Sequence, residues 1–473
     1  MIVGNEILKY KEDIIKGLCD LIKIRSVTSQ PLEGKPFGEG VNQALEYMLN
    51  LGKSLGLTVI NVDGYAGHIE YGEGDEVVGV LVHLDVVPEG AGWTFPPFEG
   101  VIHEGKIYGR GASDDKGPAI VAVYGLKVLK DLGIATKRRV RVILGTSEET
   151  GMKDMEYYFS KEPLPVMAFS PDAEYPIINR EKGILQLVLT KNKDESGSVV
   201  EKIVGGEAAN MVPSECKAYI PADLVTSEEL ERLRKLAGEI SEDNIDISYE
   251  SGNQEVKGSR IIIRARGKSA HASTPYNGIN AIACLIDFLY RAQAEINGNF
   301  GKSIYLDGFL KFIHERIGKE TSGQSLGINF KDNESGELTL NLGKISYTET
   351  EKRAVLDIRY PVTVNLDMIL KAIKEKASVD GISVEVHGHH PPLYIPEDHP
   401  LIVRLSNAYE KITGKKAGLV AIGGGTYART LQNNGVAFGG AGTNYHQPDE
   451  YVTIDELMEH ARICTQAIYE LAI

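Results

Sequence analysis

From about residue 6 to 24 the apolar positions Ile7, Leu8, Ile14, Ile15, Leu18, Leu21 and Ile22 recur at roughly helical spacing, which predicts an amphipathic helix. A second stripe, Ala44, Leu45, Met48 and Leu49, predicts another over about Val41 to Leu55. The period then shortens. Val77-Val78-Gly79-Val80-Leu81-Val82 is almost wholly apolar, the mark of a strand covered on both faces. Comparable runs follow at Arg139–Leu144, Val166–Phe169 and Val436–Phe438. Between the first two, Ala119–Leu129 reads as a helix with one face buried. Pro118 falls in its first turn, where the missing N–H has no partner to lose. Strands alternating with helices predict an α/β fold, a mixed sheet flanked by helices.

The middle of the chain differs in character. From about Gly183 to Glu385, half-polar strands such as Ile261–Arg266 mix with helices near 227–239, 277–295 and 365–377. The first of these helices opens on a capping box, Thr226 with Glu229. At 473 residues the chain exceeds what one hydrophobic core usually supports. An inserted α+β domain over 183–385 is therefore expected, splitting the first domain into 1–182 and 386–473. That domain resumes with a helix after Pro400 and closes with one capped by Thr453 and Glu456.

A formal net charge of −15 argues against nucleic acid or an anionic membrane as partner and suits a protein that holds cations. The four cysteines are scattered, with no CxxC pair, as expected of reduced thiols in a cytoplasmic protein. The N-terminus lacks the basic-then-apolar signature of a signal peptide, and no apolar run approaches a membrane span.

Polar residues recur just past the strand ends, the edge where open α/β sheets bind ligands. His83, Asp114, Glu149, Asp172 and His446 form a borderline-hard set suited to zinc, manganese or cobalt. Five ligands exceed what one catalytic ion needs from protein. They fit two ions about 3.5–4 Å apart that share a bridging carboxylate. Asp85 lies two residues beyond His83, so on an extended strand its carboxylate can orient the imidazole. Singly, each residue has a plainer reading: a buried histidine, a turn aspartate after proline, a helix cap in the Asp114-Asp115 pair. The joint placement carries the argument. Which aspartate bridges, and which of Glu148 and Glu149 binds metal, the residues alone leave open. His387, His389 and His390 precede Pro391-Pro392 with no carboxylate block nearby and are read as a domain junction, not a metal site.

The blocks His83-Leu84-Asp85, Gly109–Gly117, Glu148-Glu149, Ser170–Glu174, Gly267–Ser273 and Gly439–His446 together resemble the signature of the M20 metallopeptidases. Asn210–Pro213, Asp357–Pro361 and Gly423–Tyr427 bring the resemblance nearest to the PepV-like dipeptidases of Xaa-His and β-alanyl dipeptide type. It spans essentially the whole chain, with no departure at a functional position. It implies a di-metal catalytic domain with an inserted lid. Asp114 would bridge, joined to Asp115 by a cis peptide bond; His83 and Asp172 would hold one ion, Glu149 and His446 the other. Glu148 would act as general base, with Asp85 beside it in the catalytic group. His271 would donate to the oxyanion on lid closure, helped by Asn210. Arg359 would grip the substrate carboxylate, and Gly423, Gly424, Gly425 and Thr426 would line it with backbone donors.

The expected activity is hydrolysis of short peptides with a free N-terminus, by a monomer with two divalent ions, zinc first and manganese or cobalt as alternatives. An N-acyl amino acid amidohydrolase would use the same metals but require an acylated amine. A non-catalytic peptide-binding protein should have lost a ligand or the base, yet all of these residues are present.

Overall fold

In the computed structural model, which describes residues 1–192, 199–240, 244–251, 258–296, 306–348 and 350–473, the apolar run Val77–His83 is a strand buried at every position. It lies between Arg139–Gly145 and Met167–Ser170, parallel to both. Gly435–Ala437 adds a fourth parallel strand beside Met167–Ser170. Four chain segments therefore leave the sheet at the same edge. Among the described residues this is a nine-stranded sheet, closed on one flank by the antiparallel pair Thr58–Val62 and Ala66–Tyr71.

The helix predicted after Pro118 runs Lys116–Asp131, and all of it but Lys127, Lys130 and Asp131 is buried. The one-faced reading is therefore corrected. This helix packs against the sheet on one side and the C-terminal helix Ile454–Ala472 on the other, and apolar residues all round suit such a sandwiched position. Gly125 permits the approach, since a β-carbon there would lie 2.7 Å from Ile468 Cδ1. At the start of the chain, Gly4–Tyr10 is a 3-10 turn before the helix Lys11–Ile22. The second predicted helix spans Glu39–Ser54, and the last opens on a capping box of Thr453 and Glu456.

The chain divides into two units, Met1–Glu181 with Leu393–Ile473, and Lys182–Pro392. The second boundary falls after Pro392 rather than at 385, because the strand Ser383–His390 pairs along Gly183–Thr190 and completes the second unit's sheet. That sheet has eight strands among the described residues, and its pairings are antiparallel. The helices Ser227–Glu239, Ala281–Ile296 and Leu366–Val379 supply residues to the core beneath it. Their apolar faces and the strands' inward positions form one contiguous cluster, separate from that of the first unit. No helix among the described residues is long and apolar enough to cross a membrane.

His460, on the C-terminal helix, is 1% exposed, and its Nδ1 lies 3.0 Å from the Tyr175 hydroxyl. Burial pushes its imidazole down to about 3. An unfolded histidine titrates near 6.5, so below that pH the unfolded chain binds the extra proton and folding weakens as pH falls. His460→Gln should remove about 2 kcal/mol of the stability lost between pH 7 and pH 5. Urea titrations of the two proteins at both pH values measure the difference; equal losses would contradict it.

Candidate metal centre

His83 is the last residue of its strand and is fully buried. Its Nε2 lies 2.8 Å from Asp114 Oδ1 and 3.8 Å from Asp172 Oδ2. The other oxygen of Asp114 lies 3.0 Å from His446 Nε2, which is in turn 2.8 Å from Glu149 Oε1. One carboxylate thus turns an oxygen to each of two imidazoles. Ligand atoms of His83, Asp114 and Glu149 lie within 4.8 Å of one another, as do those of His83, Glu148 and Asp172. The residues predicted from the strand ends come together at the edge where the parallel strands finish.

Asp114 stands on the loop before the buried helix, and that loop is held from below by Glu450. One oxygen of this buried carboxylate accepts the main-chain N–H groups of Gly111, Ser113 and Asp114 at 3.1, 3.0 and 3.2 Å. The other pairs with Arg110 Nη1 at 2.7 Å. The Asp114–Asp115 peptide bond is cis. Asp115 is the N-cap residue of the helix, yet its side chain makes no capping bond. It accepts the His83 N–H instead, at 3.1 Å, which ties the aspartate loop to the strand end.

Asp85 acts differently from the strand argument, because the strand ends at His83. Its main-chain carbonyl meets His83 Nδ1 at 2.9 Å, while its carboxylate is 3.5 Å away. The carboxylate oxygens accept the amides of Glu148 and Glu149, each at 3.1 Å. Asp85 therefore links the imidazole to the glutamate turn.

The electrostatics suit cations. Removal from water pushes the carboxyls of Glu148, Asp172 and Asp115 well above the ordinary range and raises Glu149. The same effect acts on Asp114, but hydrogen bonds from His446 and His83 outweigh it and hold its carboxyl low. Hydrogen bonds to Asp114 and Glu149 raise His446 to about 10. Burial opposes charge on His83, yet Asp114 and Asp85 hold its imidazole well above the usual value. Positive charge among these carboxylates offsets both their burial and their mutual repulsion. Imidazole and carboxylate donors converging within one ligand radius fit divalent metal.

Beside the cluster is a cavity of about 380 Å³, walled by Glu148, Glu149, Ile178, Ile422, Gly424 and Tyr445 among others. Gly424, Gly425 and Thr426 are among the residues that line it. Thr426 departs from the expected donor wall: its amide and hydroxyl both go to buried Glu181, at 3.3 and 2.8 Å, and its oxygen caps the turn Tyr427–Leu431. In the second unit, Asn210 and His271 are exposed and adjacent, through a bridge between Met211 and His271 and an Ala272 N–H donated to the Asn210 carbonyl at 2.9 Å. Ser273 Oγ lies 2.7 Å from His271 Nδ1. Arg359 is within the strand Lys352–Tyr360 and is 4% exposed. Its Nε and Nη2 donate to Asp357 at 2.5 and 3.1 Å, which fixes the plane of the guanidinium.

Sequence reasoning missed Glu450, Asp154 and Tyr427. Glu450 is only four residues past His446, and Tyr427 closes the glycine motif, but nothing in the spacing marks either as buried.

A Bacillus subtilis (strain 168) protein named "Putative dipeptidase YtjP" is 40% identical over 479 residues, covering 99% of this chain and 99% of its own. Human carnosine dipeptidase 1 shares the fold at 16% identity and a TM-score of 0.58, over 99% of this chain and 98% of that one. The aminoacylhistidine dipeptidase from Vibrio alginolyticus does so at 16% identity and a TM-score of 0.55, over 96% of each chain. The family model described as peptidase family M20/M25/M40 matches residues 79–470, the span that runs from the buried strand before His83 to the last turn of the C-terminal helix, and the chain belongs to that family.

Proposed function

We propose that this protein is a dipeptidase that works with two divalent metal ions, zinc first and manganese or cobalt as alternatives, on short peptides with a free N-terminus. The observation that carries the proposal is Asp114, whose two oxygens face two different imidazoles. On this reading Asp114 is shared, His83 and Asp172 complete one site, and Glu149 and His446 complete the other. Bound there, such cations polarise a scissile carbonyl and lower the pKa of water.

The chain's own residues do the rest. Glu148 takes a proton from the attacking water on its carboxylate and later delivers it to the leaving amine. His271 and Asn210 donate to the carbonyl oxygen as it gains charge. Arg359, its plane set by Asp357, takes the substrate's terminal carboxylate. The small cavity beside the cluster and its acidic walls favour a short peptide with a protonated amine. The free cysteines accord with the proposed cytoplasmic setting.

Free dipeptides, their N-acetyl forms, their C-terminal amides and a tripeptide form the test panel. Hydrolysis should be confined to free dipeptides, cease with chelator, and fall about 100-fold or more in kcat with Glu148→Ala. Turnover chiefly of the acetylated forms would move the assignment to a deacylase. Metal analysis gives a separate check on the shared carboxylate. Asp114→Ala should strip both ions from the purified protein, whereas His446→Ala should lower the content by one. Loss of a single ion from Asp114→Ala would refute the bridge.

A further inference from the structure

Four consecutive amides follow the strand Arg139–Gly145, and two buried carboxylates hold all of them. Asp85 takes Glu148 and Glu149. Asp154, the second residue of the helix Lys153–Lys161, takes Thr146 and Ser147 on a single oxygen at 2.6 and 3.0 Å. Its other oxygen accepts the Met155 N–H at 2.8 Å. Asp154 is fully buried, and the Tyr427 hydroxyl donates to the same oxygen that takes the two amides.

Tyr427 is likewise fully buried. Its ring meets the His83 imidazole edge to face, with centroids 6.2 Å apart and planes at 87°. It also lies so close to the strand end that a β-carbon on Gly145 would come within 2.1 Å of its hydroxyl. One side chain therefore touches the proposed ligand His83, the strand's last residue and the carboxylate that grips the following turn.

We propose that Asp154 and Tyr427 are positioning residues that set the turn carrying Glu148 against His83, so that the base stands at a defined distance from it. An apolar pair would fill the same space without the cost of burying a charge. What the carboxylate adds is direction. It accepts from two successive amides and a phenol, and so fixes the turn's rotation about the strand axis, on which the reach of Glu148 depends. The glycine motif before Tyr427 gains a second purpose: it brings the phenol under the site while Gly424 and Gly425 line the cavity.

This inference rests on Glu148 as general base, and a double-mutant cycle separates the two. Tyr427→Phe removes only the hydroxyl, and Asp154→Asn keeps the side chain's size. Each should lower kcat roughly 10- to 100-fold, the range for partners that orient site residues, with KM within about twofold and metal content unchanged. In a Glu148→Ala background, Tyr427→Phe should change the residual rate by less than about twofold, because the positioned group is gone. Thermal midpoints recorded alongside reveal a variant that has merely lost folded protein. An unchanged kcat in Tyr427→Phe with a lowered midpoint would reduce the pair to packing and overturn the proposal. So would a full-sized kcat loss in the Glu148→Ala background. If Glu148→Ala itself kept the parent rate, the general-base reading would fall, and this inference with it.

Discussion

The crowding of carboxylates against two imidazoles, at the place where the parallel strands stop, is the interaction on which the surrounding structure depends. Like charges a few ångströms apart and short of water repel strongly, so the loops that carry them must be held firmly. Other carboxylates hold these loops by accepting their backbone amides. Glu450 gathers three around the Asp114 loop, Asp85 gathers two at the glutamate turn, and Asp154 gathers two more before it. Asp115 takes the His83 amide. A shell of buried anions thus orients the inner residues without offering competing cations to them.

Sheet topology explains why so few contacts suffice. Val77–His83, Arg139–Gly145, Met167–Ser170 and Gly435–Ala437 run the same way, so His83, the glutamate turn, Asp172 and the loop to His446 all leave one edge. The buried helix Lys116–Asp131 brings the aspartate loop to the same edge. Positions separated by more than 300 residues meet there because the whole second unit, Lys182–Pro392, is inserted between the two parts of the first. The second unit follows another rule: its sheet is antiparallel and joins strands as distant as Gly183–Thr190 and Ser383–His390, and it presents Asn210 and His271 side by side.

Much of this was legible in the chain. The wholly apolar runs marked the doubly covered strands, and polar residues just past their ends marked the edge that carries the site. The capping boxes at Thr226 and Thr453 marked two helix starts to the residue. The errors were equally physical. The Ala119–Leu129 segment looked one-faced because a local pattern cannot register that a second helix covers its far side. Asp85 does face the imidazole, but alternation along a strand that ends at His83 could not show that its carboxylate also takes the Glu148 and Glu149 amides. Thr426 looked like a ligand donor, but buried Glu181, more than 240 residues away, takes both its polar groups.

Composition, periodicity and strand-end chemistry by themselves determined the α/β fold class and pointed to a second domain and a set of metal-type donors, because these depend on short-range spacing and on burial that repeats along an element. Tertiary structure alone decided which atoms face one another: that Asp114 turns one oxygen to each imidazole, that Asp115 serves the His83 backbone rather than the helix, and that Glu450, Asp154 and Tyr427 stand behind the site. Those outcomes are set by orientation in three dimensions and by desolvation of groups far apart in the chain, neither of which leaves a mark on local sequence.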